Sequence, residues 1–278
     1  TARSRGLGDV YKRQSMFRTL FFFFLILVGL QAASAENNVT ISQNLGRLCI
    51  ASNSIPHHAI GKFPNRSNPH SIREQKVELC VPNTPIKNTK PRFVKGTIGI
   101  ALNGIQFRPN TAGYYDPSSK SGHSRNGDKR WSLDIFGAKN KLGLDEYNGQ
   151  VGLTGLYHYH GIATALITTS GNSLIGFAGD GFEIHYLGEK VTSGYKLKSG
   201  NRPSGPGGNY DGSYNEDYEH HSSAGSLDEC NGGELNGKFV YFVTNSYPFV
   251  GRCLWGEISS GFGVCLLYTS PSPRDLAV

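Results

Sequence analysis

Several things are scarce in this chain of 278 residues, and each scarcity removes a class of function. There is one methionine, Met16, and it lies beside an N-terminal apolar run. A blue-copper centre uses a cysteine thiolate, two histidines and usually an axial methionine, so that chemistry is set aside. No Gly-X-Ser-X-Gly elbow occurs and no cysteine reads as a free nucleophile, which leaves nucleophilic catalysis without a candidate. Sustained helical periodicity is absent, and so is any internal repeat. Outside residues 20–30 no apolar run approaches a membrane span. Acidic residues are outnumbered, 21 against 28 basic. Arg3, Arg5, Lys12, Arg13 and Arg18 carry much of that excess and precede the domain, so it makes no case for nucleic acid.

The two ends read as translated sequencing adapter. One short transposon-end DNA encodes Leu266-Leu267-Tyr268-Thr269 on one strand and Asp9-Val10-Tyr11-Lys12 on the other. Residues 1–15 and 265–278 are accordingly excluded from fold reasoning. Met16 then opens a signal peptide over residues 16–35: Arg18 supplies its positive start, residues 20–30 its apolar run, and Ala33-Ser34-Ala35 its small-residue cleavage site. A single domain over residues 36–264 follows, with length enough for an ample core. The product is exported, extracellular or, in a bacterium, periplasmic. Four cysteines remain once Cys265 is excluded: Cys49, Cys80, Cys230 and Cys253. An even count in an exported chain reads as disulfides. Of the three connectivities, Cys49–Cys80 with Cys230–Cys253 is favoured, because each pair closes a short loop within one region. Asn38-Val39-Thr40 and Asn65-Arg66-Ser67 are glycosylation sequons for a eukaryotic secretory route.

Turn residues and β-branched content lay out the rest. Residues 52–91 read as an extended lead-in tied down by Cys80. A strand over 96–102 turns at Asn103-Gly104 into Ile105-Gln106-Phe107. Residues 114–128 are a polar, glycine-rich loop, and order returns over 131–136. Residues 162–168 fit a helical turn or a strand equally well. Residues 173–178 and 182–187 pair about Gly179-Asp180-Gly181. Residues 198–226 read as a long surface loop, and 238–244 as a strand. The fold class is mainly β: a sandwich- or barrel-like single domain with long loops and few short helices.

At the centre stands Gly155-Leu156-Tyr157-His158-Tyr159-His160-Gly161. Alternation is the strand period, so His158 and His160 share one face, about 7 Å apart along the strand, and Tyr157 and Tyr159 share the other. Two imidazoles on one rigid face form the start of a metal site. The tyrosines belong in the core. The competing reading packs the tyrosine face and leaves the histidines pointing at solvent. Candidate third ligands are His58, Asp145, Asp180 and His185, which with imidazole suit Zn²⁺ or Cu²⁺. The run from Asp211 to Glu219 alternates oxygen side chains but fails the EF-hand pattern, with Glu216 where glycine is needed and Ser222 where glutamate is needed. His220-His221 is a lesser surface candidate.

The order of segments carries a resemblance. Leu142-Gly143-Leu144-Asp145, Tyr157-His158-Tyr159-His160-Gly161, Gly176-Phe177-Ala178-Gly179-Asp180-Gly181, Asp228-Glu229-Cys230-Asn231-Gly232 and Tyr247-Pro248-Phe249 with Cys253 follow one another. Upstream come Pro56, His58, Phe63-Pro64-Asn65, Asn68-Pro69 and Leu102-Asn103-Gly104. In this order they resemble the YHYH protein family, over roughly residues 52–256. The resemblance implies a secreted domain and no particular reaction. His58 and Asp180 match the family pattern. His185 departs from it, and so does Gln150, which stands where the family commonly has a histidine after Asn-Gly.

Three readings stay open: a secreted domain holding one transition metal ion on the His-X-His strand; a metal-free extracellular interaction or structural module; and a metal-dependent hydrolase or oxidase, with an open coordination position beside His158 and His160. The excluded ends yield a direct test. Deleting residues 1–15 and 265–278 is expected to leave the calorimetric unfolding midpoint unchanged, whereas a fall of several degrees would show that an end packs on the domain.

Overall fold

A computed structural model describes residues 36–138, 142–170 and 172–263, so the adapter and signal-peptide readings concern residues outside those described. In chain order the strands are β1 (Val39–Asn44), β2 (Arg47–Ser52), β3 (Val77–Pro82), β4 (Arg92–Phe93), β5 (Gly99–Ala101), β6 (Gln106–Phe107), β7 (Tyr114–Tyr115), β8 (His123–Ser124), β9 (Asp128–Ser132), β10 (Gly149–Val151) and β11 (Tyr157–Tyr159). After helix α1 (Thr164–Ser170) come β12 (Leu174–Ala178), β13 (Glu183–His185), β14 (Tyr195–Leu197), β15 (Tyr218–His220), β16 (Gly232–Leu235), β17 (Lys238–Phe242) and β18 (Cys253–Leu254). The domain is mainly β with long connections, and among the described residues no sheet closes into a barrel.

An eight-stranded mixed sheet in the order β10-β11-β6-β5-β12-β13-β17-β16 forms the centre. Its parallel joints are β11 with β6 and β13 with β17. A second sheet, β1-β2-β3, is wholly antiparallel. In β2 the alternating Leu48 and Ile50 point inward and meet Leu79 and Val81 of β3, with Ile100 of β5 and Phe262. The larger core includes Phe107, Tyr157, Tyr159, Ile175, Ile184, Tyr241 and Val243. Both expected disulfides are formed. Cys49 and Cys80 face each other across β2 and β3, and Cys230–Cys253 ties the segment before β16 to β18.

Local expectations hold where period and turn chemistry agree. The Asn103-Gly104 turn joins β5 to β6 antiparallel, with Gly104 at φ +79°. β12 and β13 pair about Gly179-Asp180-Gly181. The ambiguous 162–168 stretch becomes α1.

The surface-loop reading of 198–226 holds for most of the stretch, but a few of its residues turn inward. Arg202 is buried there and bonds Asp217 through Nε (2.7 Å) and one terminal nitrogen (2.6 Å), while Asp217 is wholly buried. Asp217 also accepts the Gly212 and Tyr214 amides. The oxygen-rich run is thus organised inward around a guanidinium. The physical reason is that a carboxylate taken out of water must be paired and hydrogen-bonded, and Arg202 does both. Arg202→Ala is expected to cost about 3–5 kcal/mol in urea unfolding, because it strands a buried charge. Asp211→Asn, at the exposed end of the same network, should cost under ~1 kcal/mol.

Candidate functional site

β11 is second from the edge of the central sheet, antiparallel to β10 and parallel to β6. All four side chains of Tyr157-His158-Tyr159-His160 are buried, the tyrosines completely and His160 to within 1 %. The expected tyrosine face is therefore in the core, and the histidine face is covered as well. Gly155, at φ +89°, starts the strand against Arg73, and Gly161 ends it against Phe136.

On the tyrosine face, Tyr157 donates to Asp145 Oδ2 at 2.7 Å. The same carboxylate accepts the backbone amides of Gly61 (3.2 Å), Tyr147 (3.0 Å) and Gly149 (2.8 Å). The phenol crosses over Gly149, where a Cβ would collide with it. Tyr159 Oη lies 2.6 Å from His58 Nε2 and accepts from Asn103 Nδ2 at 2.9 Å. Asn103 Nδ2 also reaches His57 Nδ1 at 3.0 Å. His58 Nδ1 lies 2.6 Å from the Ala59 carbonyl. The network therefore assigns His58 an Nδ1–H and leaves Nε2 to accept from Tyr159. Burial raises both phenol pKa values above the usual tyrosine range, and for Tyr157 the Asp145 charge adds to it.

The structure places three of the candidate ligands away from the two imidazoles. His58 and Asp145 sit on the opposite face, because strand alternation separates residues 157 and 159 from 158 and 160 and the lead-in is laid over the tyrosines. Asp180 lies at the β12–β13 turn. There its carboxylate accepts from Tyr241 Oη (2.7 Å) and from the Gly256 (2.8 Å) and Phe182 (3.4 Å) amides. Its pKa is raised by burial, against those hydrogen bonds. His185 bonds Glu183 and Ser173. His220 contacts the Leu227 carbonyl, and His221 contacts Glu219.

The histidine face holds different neighbours. The rings of His158 and His160 have centroids 4.9 Å apart. His158 Nδ1 lies 3.2 Å from the Leu156 carbonyl and His160 Nε2 lies 3.2 Å from Gln150 Oε1. Gln150 Nε2 donates to the Leu142 carbonyl at 2.6 Å, which fixes its oxygen toward His160 and makes His160 the Nε2–H tautomer. Its Nδ1 is buried beside Pro109 without a well-formed hydrogen bond. Burial, then Arg108, then His160 holds the His158 pKa well below the usual imidazole value. Burial, then Arg108 and Arg252, depresses His160 to about 3.

Among the described residues, no further His, Cys, Asp or Glu joins this pair closely enough to share an ion. The one such trio is Cys49, Glu78 and Cys80, whose sulfurs are joined in a disulfide. The residue at the third corner is Gln150, directly opposite His158 in the β10–β11 register. Its signal was legible as a departure from the Asn-Gly-His pattern, but Arg108 and Arg252 had none.

The pattern of the YHYH protein family matches residues 78–256, more than half the chain, and the chain belongs to that family. Of the upstream pieces, those from Pro56 to Pro69, His58 among them, lie outside the matched span, and Leu102-Asn103-Gly104 lies within it. No curated protein and no solved structure matches significantly.

Neutral buried imidazoles carry a pH signature. Free histidine titrates near 6.5, so below that pH the unfolded chain takes up protons that the folded chain refuses. Stability therefore falls as pH drops below about 6.5, for His160 down to about 3, by about 1.4 kcal/mol per pH unit for each imidazole that stays neutral. Asp180 and Glu216, raised by burial, act in the opposite sense. Urea unfolding at pH 7 and pH 5 is expected to show this loss, reduced in the His158→Gln, His160→Gln double variant. An equal loss in both proteins would mean that the pair titrates normally.

Proposed function

We propose that the chain is an exported, disulfide-stapled interaction module in which the Tyr-His strand is architectural. One observation carries the reading. The third corner beside His158 and His160 is Gln150, an amide engaged at both ends between His160 and Leu142. Among the described residues a divalent cation there would meet no anionic ligand, and it would sit in the field of Arg108, which disfavours positive charge on both rings, and of Arg252, which does so for His160. Any extracellular partner meets a surface other than this strand, since its four side chains are buried. Export is supported by the apolar segment of residues 20–30 with its small-residue site and by the two disulfides. No helix among the described residues is long and apolar enough to cross a membrane.

A second reading has its own observation. One transition metal ion, Zn²⁺ or Cu²⁺, would be chelated by His158 and His160, with hydrolase or oxidase chemistry at its open positions. Each ring hydrogen-bonds through one nitrogen only, and the 4.9 Å centroid separation suits two ligands of one ion; rings around a tetrahedral centre stand about 5 Å apart. Cobalt titration separates the readings. The wild-type protein is expected to leave the Co²⁺ spectrum unchanged at micromolar concentration. Gln150→His, which supplies a third imidazole, is expected to bind close to one equivalent. One equivalent held by the wild type and lost in His158→Ala, His160→Ala would establish the metal reading instead.

A further inference from the structure

The two sequons have opposite surroundings. Asn38 is exposed at the start of β1, and its backbone is held by Asn53 in both directions, each bond 3.0 Å. Its side-chain amide makes no hydrogen bond among the described residues, and Thr40 is exposed beside it. Asn65 is engaged at both ends of its amide. Nδ2 donates to the Lys62 and Gly143 carbonyls at 3.3 Å each, and Oδ1 accepts from the Ser67 (3.0 Å) and Asn68 (2.8 Å) backbone amides. The chain at Gly143 passes so close that a Cβ there would lie 2.6 Å from Asn65 Oδ1. A sugar on Nδ2 would replace one of its two hydrogens and force the 142–145 segment away.

We infer that Asn38 is an N-glycan acceptor in the folded protein and that Asn65 is not. The inference rests on the exported reading and on a eukaryotic secretory route. The donor is an oligosaccharide linked through a diphosphate to a lipid. The Asn38 amide nitrogen forms a bond to the anomeric carbon, the bond from that carbon to the diphosphate oxygen breaks, and the lipid diphosphate leaves with the amide proton. A glycan attached during entry is accommodated by the native fold where the amide faces solvent, which is the situation of Asn38. There it stands at the open edge of the three-stranded sheet, where β1 pairs on one side only and Ile41 is exposed. Open edges invite pairing with other chains.

The test is secretion from cultured animal cells of the chain from Met16, behind its own residues 16–35 or behind a heterologous leader. Enzymatic deglycosylation in ¹⁸O-water, which marks occupied asparagines as labelled aspartate, is followed by peptide mapping. Asn38 is expected to be labelled and Asn65 unlabelled. Thr40→Val should remove the glycan. Ser67→Ala, which destroys the second sequon but keeps the Asn65 side chain and the residue 67 amide, should leave it in place. An unlabelled Asn38 in secreted protein whose Cys49–Cys80 bridge has formed would overturn the inference, as would a labelled Asn65 in folded secreted protein. Retention of the first form with secretion of the second refutes export by residues 16–35, and the second form alone then decides the glycan.

Discussion

Strand alternation on an interior strand is the constraint from which the rest of this domain follows. Placing Tyr157, His158, Tyr159 and His160 on β11 sends two phenols into one buried layer and two imidazoles into another. Buried polar atoms need partners, so each layer must be supplied with them from elsewhere in the chain. On the tyrosine side the partners are Asp145, Asn103 and His58, and the last of these draws the lead-in segment onto the core. On the histidine side they are the Leu156 carbonyl and Gln150. Gly149 has no side chain because the Tyr157 phenol crosses it on the way to Asp145.

The same burial decides the electrostatics. Burial beside Arg108, with Arg252 acting on His160, disfavours the charged form of both imidazoles, whose tautomers are set by their hydrogen bonds. A nearby carboxylate would pull their affinity for protons or metal ions the other way, but Asp134 is paired with Arg252, and two candidate ligands are taken up by other donors. Asp145 accepts four hydrogen bonds and Asp180 three. A histidine at position 150 would place a third imidazole directly opposite His158 in the register.

Legibility in the sequence followed the range of the interaction. The face of each β11 side chain, the Asn103-Gly104 hairpin, the β12–β13 turn and both disulfides rest on neighbours, turn chemistry or parity of cysteines, and these were readable. The partners across each face were not. His58 meets Tyr159 from 101 residues away, and period alone says nothing about which loop covers which layer. Arg202 and Asp217 sit in a stretch whose glycine, serine and asparagine content mimics a solvated loop, and only their pairing shows that it turns inward. Gln150 could be singled out as a departure from a pattern, but its place opposite His158 is a matter of register.

The central claim is that His158 and His160 are a neutral, hydrogen-bonded pair belonging to the core. Long-range ¹H–¹⁵N correlation spectra of the histidine rings test it most directly. At pH 5 the account predicts two neutral rings, His158 protonated at Nδ1 and His160 at Nε2, with shifts unchanged by micromolar Zn²⁺. Imidazolium signals from either ring at that pH, or shifts at pH 7 that move on adding Zn²⁺, would contradict it.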